Sequence, residues 1–134
     1  MDQSLLYVST RCPGVDGGAT DVQDIVGISR PRNASLDVTG ALVATPGSFA
    51  QILEGPEAHL AELMASIRRD PRHRDIRLVD LGGRVTRDFA GWSLAYSGES
   101  SHVSRAISLL MEDTSFDFPK HVNRLYFMMR NIAE

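Results

Sequence analysis

Cysteine is nearly absent from this sequence, since Cys12 is the one thiol among 134 residues. A lone cysteine excludes an internal disulfide and indicates no cysteine-based metal site. The chain also lacks an apolar run near the ~20 residues that a membrane-spanning helix needs. Its start, MDQSLLYVST, has neither the basic stretch nor the long apolar core of a signal peptide. We therefore expect a cytoplasmic protein with no membrane segment.

An excess of positive charge is missing as well. Lysine and arginine number 14 against 17 acidic residues, which gives a net charge of -3 at pH 7. Because nucleic-acid-binding surfaces usually need a basic excess, we expect no nucleic-acid partner. The remaining composition is ordinary for a globular protein, with 43% hydrophobic and 23% charged residues. The length suits one domain with its own core.

Hydrophobic patterns divide the chain into five strands and four helices. Strands are predicted at 4–10, in two runs of 38–55 joined by the turn TPGS, at 76–83 and at 88–96, with a polar break at 70–75. Helices are predicted from near Thr20 until Pro31 ends or bends the first, from Pro56 to Arg69, and around 101–112 and 120–132. This order favours a ferredoxin-like α+β fold, a mixed five-stranded sheet with two helices on one face. The two C-terminal helices would cover the other face or form an interface.

Side-chain directions follow from these elements, because successive residues of a strand face opposite sides. Tyr7 should share a face with Leu5, while Trp92, Leu94 and Tyr96 should share a face of the last strand. The final helix has an apolar stripe of Val122, Leu125, Met129 and Ile132.

A polar residue interrupts the third predicted strand. Gln51 lies in the middle of the apolar run Phe49–Leu53, where an amide is costly unless all its hydrogen bonds are met. Polar groups also stand in or beside apolar strands at Tyr7, in 30–40 and in 70–73. The sequence therefore predicts that something polar, in the protein or bound to it, meets Gln51.

Five segments around these positions resemble the BLUF family, blue-light sensors that use flavin. The resemblance covers residues 4–97 in the family's order and spacing, and is found in LLYVS, SRPRNASLDVTGALV, GSFAQILEGP, IRRDPRH and RDFAGWSLAY. It implies a blue-light photoreceptor without substrate turnover. It also implies a photosensor domain at 1–97 and a helical extension at 98–134 that packs on the sheet or at an oligomer interface.

The resemblance assigns photochemical roles to four residues. Tyr7 matches the tyrosine that donates an electron and a proton to the excited flavin. Gln51 matches the glutamine between that tyrosine and the N5 and C4-carbonyl edge of the ring. Trp92 matches the mobile tryptophan of strand five, and Leu94 stands where the family usually has methionine.

The resemblance also implies a non-covalently bound flavin, FAD in the family, with FMN as the alternative. Asn33 is expected to bond the isoalloxazine ring, and Asp70, Arg72 and His73 to contact the ribityl and phosphate portion. The expected cofactor-binding residues are Ile25, Ser29, Arg32, Asn33, Gln51, Leu53, Ser66, Asp70, Arg72 and His73.

The chemistry of these residues agrees with such a role. A phenol with a pKa near ~10 stays neutral at pH 7 and donates a hydrogen bond. A carboxamide carries a donor and an acceptor on one head, so its rotation or tautomerisation changes what it offers each neighbour without moving the backbone. Light would leave Gln51 in its alternative arrangement, and a new hydrogen bond at the C4 carbonyl would shift absorption to the red.

Two other hypotheses remain open at this point. Each residue taken singly has an ordinary structural role, so the fold could be a flavin-free interaction module. A small acylphosphatase-like hydrolase using Arg32 and Asn33 is the third hypothesis, although no glycine-rich phosphate cradle precedes a helix there. The four histidines show no i, i+4 pairing typical of a metal site.

Apolar residues near the C-terminus point to a contact with another chain. They exceed what one short helix pair needs, so part should be buried on the sheet and part in a homo-oligomer or partner contact. We expect signalling to a downstream protein of unknown identity. The residues are Phe116, Phe118, Leu125, Tyr126, Phe127, Met128 and Met129.

Overall fold

The computed structural model describes residues 2–12, 21–112 and 117–133. Their elements confirm the predicted order of strands and helices. The predicted helix start near Thr20 and the apolar Phe116 lie outside the described residues. The elements are β1 (Asp2–Arg11), α1 (Asp21–Ser35), β2 (Thr39–Ala44), β3 (Ser48–Gly55), α2 (Glu57–Arg69), β4 (His73–Arg84), β5 (Trp92–Ser97), α3 (Ser101–Glu112) and α4 (Phe118–Ala133).

The five strands form one mixed sheet in the order β4-β1-β3-β2-β5. β1 pairs antiparallel with both β3 and β4, whereas β2 pairs antiparallel with β3 and parallel with β5. The TPGS turn closes the β2–β3 hairpin, where the Thr45 N–H donates to the Ser48 carbonyl at 2.9 Å. The predicted ferredoxin-like α+β fold is confirmed.

Each face of the sheet is covered by two helices. Leu5 and Tyr7 pack with buried residues of α2 on one face, where residues of α1 also pack. Leu6 and Val8 face the other way and pack with α3 and α4. The alternation predicted for β1 is therefore confirmed, and α3 and α4 cover the second face. The division of the chain at residue 97 stays a prediction.

The predicted shared face of Trp92, Leu94 and Tyr96 is wrong. Tyr96 packs with the α3 and α4 face, whereas Trp92 and Leu94 lie on the α1 and α2 face. The reason is a register shift: Leu42 pairs with Leu94 and the next residue of β2 pairs with Tyr96, so the bulge reverses the direction of the later side chain. In the apolar stripe of α4, Val122, Leu125 and Met129 are buried, whereas Ile132 is 36% exposed.

α1 continues through Pro31 to Ser35, so Pro31 does not end this helix, and Asn33 lies on it. Two predicted strand starts are wrong. β5 begins at Trp92 rather than at residue 88, because the N–H groups of residues 88 and 89 donate to the Glu54 carboxylate instead of a neighbouring strand. β4 begins at His73, inside the predicted polar break, because an edge strand needs backbone pairing with β1 more than apolar side chains. His73 is paired with Arg11 in that ladder.

Within the described residues, no helix combines the length and the apolar character that a membrane crossing needs. The same residues contain no group of three or more His, Cys, Asp or Glu side chains placed to hold a metal ion. Cys12 is a half-buried free thiol at the end of β1. Its N–H donates to the Arg72 carbonyl at 2.9 Å, which ties β1 to the segment before β4.

Candidate functional site

A cavity of about 350 Å³ opens between α1, the end of α2 and the sheet. This volume falls at the lower end of the range of ~300–1,000 Å³ usual for small-molecule sites. All predicted cofactor-binding residues except Asn33 and Leu53 line it. The lining consists of Tyr7, Ile25, Ile28, Ser29, Arg32, Gln51, Ser66, Ile67, Arg69, Asp70, Arg72 and His73.

The cavity wall contains a tyrosine–glutamine pair. Tyr7 on β1 and Gln51 on β3 are direct partners in the antiparallel ladder. The Tyr7 hydroxyl donates to Gln51 Oε1 at 2.6 Å, and both side chains are buried. Burial, assisted by the charge of Asp70, raises the pKa of Tyr7 far above its usual 10.0. The phenol therefore stays neutral and keeps its proton in the bond to Gln51.

The hydrogen bonding of the Gln51 amide nitrogen indicates whether a ligand fits this cavity. Gln51 Oε1 is satisfied by Tyr7, yet Nε2 donates to no described residue. The side chain is only 5% exposed and borders the cavity. A buried amide normally finds partners for its donors. A ligand with an acceptor at its edge, such as a flavin ring, fits this donor.

His73 is held at the far side of the cavity by three neighbours. Its Nδ1 is 2.9 Å from Ser9 Oγ, and its ring lies edge-on to Tyr7 with centroids 5.8 Å apart. Phe49 covers it at a centroid distance of 4.6 Å. Burial lowers the pKa of His73, which Asp70 opposes and Arg72 reinforces. At neutral pH, His73 is therefore a neutral imidazole beside the Tyr7–Gln51 pair.

Cationic groups border the cavity where α1 meets α2. Arg32 Nη1 donates to Ser66 Oγ at 3.2 Å, while Arg32 Nε is buried and has no partner among the described residues. Arg69 lines the cavity beside them. Asp70 accepts from the backbone N–H of Arg72 at 2.9 Å and orders the turn into β4. This region suits an anionic group such as a phosphate.

Asn33 and Trp92 meet beside the cavity, although neither belongs to its lining. Asn33 is fully buried, and the orientation that satisfies its amide has Oδ1 accepting from Trp92 Nε1 at 2.9 Å. In the same orientation, Nδ2 donates to the carbonyl of Ser29 at 3.3 Å. Because Ser29 lines the cavity, this pair connects the cavity wall to the start of β5. A contact of Asn33 with a flavin ring stays a prediction.

Leu53 and Leu94 pack in the core near the site. Leu53 is buried beneath α2, and Leu94 is partly buried against residues of α1, β2 and β3. Neither lines the cavity, so their predicted roles in cofactor binding and photochemistry stay predictions.

Sequence reasoning did not select Ile28 or Ile67 as cavity residues. Ile28 is 56% exposed at the rim, and Ile67 is buried on the inner side of α2. The spacing between Ile25 and Ile28 could have identified the rim residue, because residues three apart on a helix share a face. Arg69, at the end of α2, also lines the cavity.

A sequence model of the BLUF family, described as sensors of blue light using FAD, matches residues 3–95. The chain belongs to the BLUF family. Photoactivated adenylate cyclase subunit beta of Euglena longa is 38% identical over 80 residues, which are 59% of this chain and 9% of that protein. The chain thus spans less than a tenth of this relative's length.

Solved BLUF structures share the fold. The dark-state structure of the BLUF protein BlrB has a TM-score of 0.71 at 29% identity, and the match covers 93% of this chain and 94% of that one. A Klebsiella pneumoniae BlrP1 structure with FMN and cyclic diGMP has a TM-score of 0.64 at 28% identity, covering 100% of this chain and 36% of that one.

The family match confirms the hypothesis of a blue-light sensor that binds flavin and relays a signal. It favours this hypothesis over the flavin-free module and the acylphosphatase-like hydrolase. A BLUF domain is a sensor module rather than a catalytic one, which agrees with the prediction of a photoreceptor without substrate turnover.

Proposed function

We propose that this BLUF chain senses blue light through Tyr7 and Gln51 with FAD bound in the 350 Å³ cavity. The observation that carries the proposal is the buried hydrogen bond from Tyr7 to Gln51 Oε1, which leaves the Nε2 of Gln51, a residue of the cavity wall, without an acceptor among the described residues. A bound flavin would supply blue-light absorption and, once excited, an electron acceptor.

The protein's part in the reaction is to move a proton and reorient an amide. With a flavin bound as the electron acceptor, Tyr7 would give up an electron to it and pass the phenolic proton to Gln51 Oε1, to which the hydroxyl already donates. When the proton and the electron return to Tyr7, Gln51 would be left with its donor and acceptor exchanged. This exchange needs no backbone movement, because both groups sit on one side-chain head. The changed hydrogen bond toward the cavity would move the absorption to the red.

A visible absorption spectrum before and after blue light tests the proposal. The wild-type protein should be yellow and show a reversible red shift. Gln51→Leu removes both amide functions and should abolish the shift. Gln23→Leu is the matched control, because Gln23 is exposed on α1, and it should keep the shift. A colourless wild type after reconstitution with flavin, or a full shift in Gln51→Leu, would contradict the proposal.

The choice of FAD over FMN is supported by a second cavity of about 270 Å³. It shares Arg32, Ser66 and Arg69 with the first, and Glu62 is also in its wall. FAD carries a second phosphate and an adenosine that FMN lacks. The shared arginines stand where the two cavities meet, so they would hold the additional phosphate.

Comparing the affinities of FAD and FMN tests this choice. Arg69→Gln should weaken FAD binding more than FMN binding. Arg68→Gln is the matched control, because Arg68 is exposed and lines neither cavity. If the wild type bound both flavins with equal affinity, or if Arg69→Gln weakened the binding of both equally, the protein would recognise only the part of FAD that FMN shares.

For signal output, we propose a homo-oligomeric or partner contact through α4. Phe127 is 56% exposed there, and Met128 is partly buried beside it. Light scattering in the dark and under blue light measures the oligomeric state. The wild type should form more than a monomer in at least one condition, and Phe127→Asp should weaken that assembly. A wild type that is monomeric in both would contradict the homo-oligomer.

A further inference from the structure

Glu54 is a charged residue buried in the central sheet, with no exposed surface. It lies on β3 three positions after Gln51, so the two side chains face opposite sides of the sheet. Gln51 faces the cavity, whereas Glu54 shares the alternation of Ala50 and Ile52, which pack with α3 and α4. One strand therefore presents the photochemical amide on one face and a carboxylate on the other.

Both oxygens of this carboxylate hold the segment between β4 and β5. Glu54 Oε2 accepts from the backbone N–H of Asp88, and Oε1 accepts from that of Phe89, each at 2.9 Å. Hydrogen bonds to an ionised acceptor are roughly twice as strong as neutral ones. This segment is thus fixed to β3 by two adjacent charge-assisted bonds.

The same two residues contact α4 through Tyr126. The Tyr126 hydroxyl donates to the carboxylate of Asp88, which also pairs with Arg84 at 3.8 Å. The ring of Phe89 meets the ring of Tyr126 edge to face, with centroids 6.3 Å apart. A displacement of residues 88 and 89 would therefore change the contacts of α4.

The segment between β4 and β5 also leads directly to Trp92, which meets Asn33 beside the cavity. The carbonyl of Gly91 accepts from the N–H of Gly40 at 3.0 Å, and β5 then begins at Trp92. The indole of Trp92 is bonded to Asn33. Residues 88–92 are consequently held by Glu54 at one end and by Asn33 at the other, between the cavity and α4.

We propose that Glu54 is a positioning residue that couples the light reaction to α4. The inference rests on the proposed function, because it needs a rearrangement at Gln51 to transmit. The exchange at Gln51 itself needs no backbone movement, but the new hydrogen bonds that it forms then shift β3. With Glu54 bonded, residues 88 and 89 move with β3, so a change at Gln51 or Trp92 reaches Tyr126. Without these bonds, the loop absorbs the displacement. A signal requires contacts that differ between the dark state and the light state. In this proposal, the contacts of Tyr126 with residues 88 and 89 differ in this way.

Hydrogen exchange of the α4 amides in the dark and under blue light tests this coupling. Amide exchange reports local opening of an element. The wild type should show a light-dependent change in α4. Glu54→Gln keeps the shape but sets an NH₂ group against a backbone donor, so it loses one of the two bonds. It should keep the red shift and lose the exchange difference in α4. Glu57→Gln makes the same chemical change at an exposed position and should keep both.

Tyr126→Phe gives a second measurement that holds even where Glu54→Gln fails to fold. It retains the ring on Phe89 and removes the hydroxyl bonded to Asp88, so the red shift should persist while the light-dependent difference in α4 shrinks. A full exchange difference in α4 in either folded variant would overturn the coupling. A red shift in the wild type without any α4 response would overturn the coupling alone. Absence of the red shift would overturn the photochemical proposal as well.

Discussion

Tyr7 and Gln51 are cross-strand partners whose side chains meet in a 2.6 Å hydrogen bond, with the phenol as donor. The central pair of strands thereby fixes the distance between them, because neither side chain lies on a loop. Backbone pairing on both sides of β1 keeps that geometry rigid. The donor and acceptor proposed for the light reaction are thus already in contact before any light is absorbed.

Tyr7→Phe should retain flavin and lose the light-induced red shift. The substitution removes the proton donor and leaves Gln51 Oε1 without its partner, which should lower the free energy of unfolding by about 1–3 kcal/mol. Absorption difference spectra and denaturant midpoints measure the two effects. Tyr96→Phe is the control, since Tyr96 lies on the opposite face of the sheet. A red shift of normal size in Tyr7→Phe would show that another group donates.

Sequence patterns predict the sheet and the inner face of the helices because both depend on periodic burial. The stripe Leu60, Leu63, Met64 and Ile67 is buried as its spacing indicates. The direction of Tyr96 is not predictable in this way, because a bulge is set by pairing between β2 and β5 and leaves no periodic signal. The start of β4 escapes prediction for a related reason. His73 and its neighbours are polar, and only the ladder with β1 makes them a strand.

The resemblance predicted the contact between Tyr7 and Gln51, but not the contacts of Glu54. Family resemblance selects Tyr7 and Gln51, and the structure brings them together. It does not indicate that Glu54 is bonded to the backbone of residues 88 and 89, because that contact joins distant positions of the chain through main-chain atoms. Main-chain donors carry no side-chain signature in a sequence.

The folded state should lose stability as the pH falls because of His73. Burial lowers its pKa below 6.5, so the unfolded chain binds a proton at pH values where the folded chain does not. The free energy of unfolding therefore decreases as the pH falls below about 6.5. His73→Gln cannot titrate and should flatten this part of the pH profile of denaturant midpoints.

The control for this titration is His102→Gln, an exposed position on α3. It should keep the wild-type slope. Equal slopes for wild type and His73→Gln would assign the pH dependence to other groups.

Gly40→Ala should prevent stable folding. Gly40 has φ +151°, and a Cβ there would lie 1.8 Å from the carbonyl oxygen of Ile52. That neighbour is backbone in the central hairpin and cannot move aside, so we expect a loss of more than about 4 kcal/mol. Gly47→Ala, in the hairpin turn with no atom within 4 Å of its Cβ, should change stability little. Similar denaturant midpoints for the two variants would contradict the close approach of Gly40 on β2 to Ile52 on β3.

The bond between Trp92 and Asn33 should be measurable as a coupling energy. Trp92→Phe removes the indole donor and leaves the buried Asn33 Oδ1 unpaired, which should cost about 1–3 kcal/mol. Asn33→Ala removes the acceptor, and the double variant should be less destabilised than the sum of the two. A double-mutant cycle should therefore give a coupling of about 0.5–3 kcal/mol. A coupling near zero would mean that the indole points elsewhere, and Trp92 would then no longer connect the cavity wall to β5.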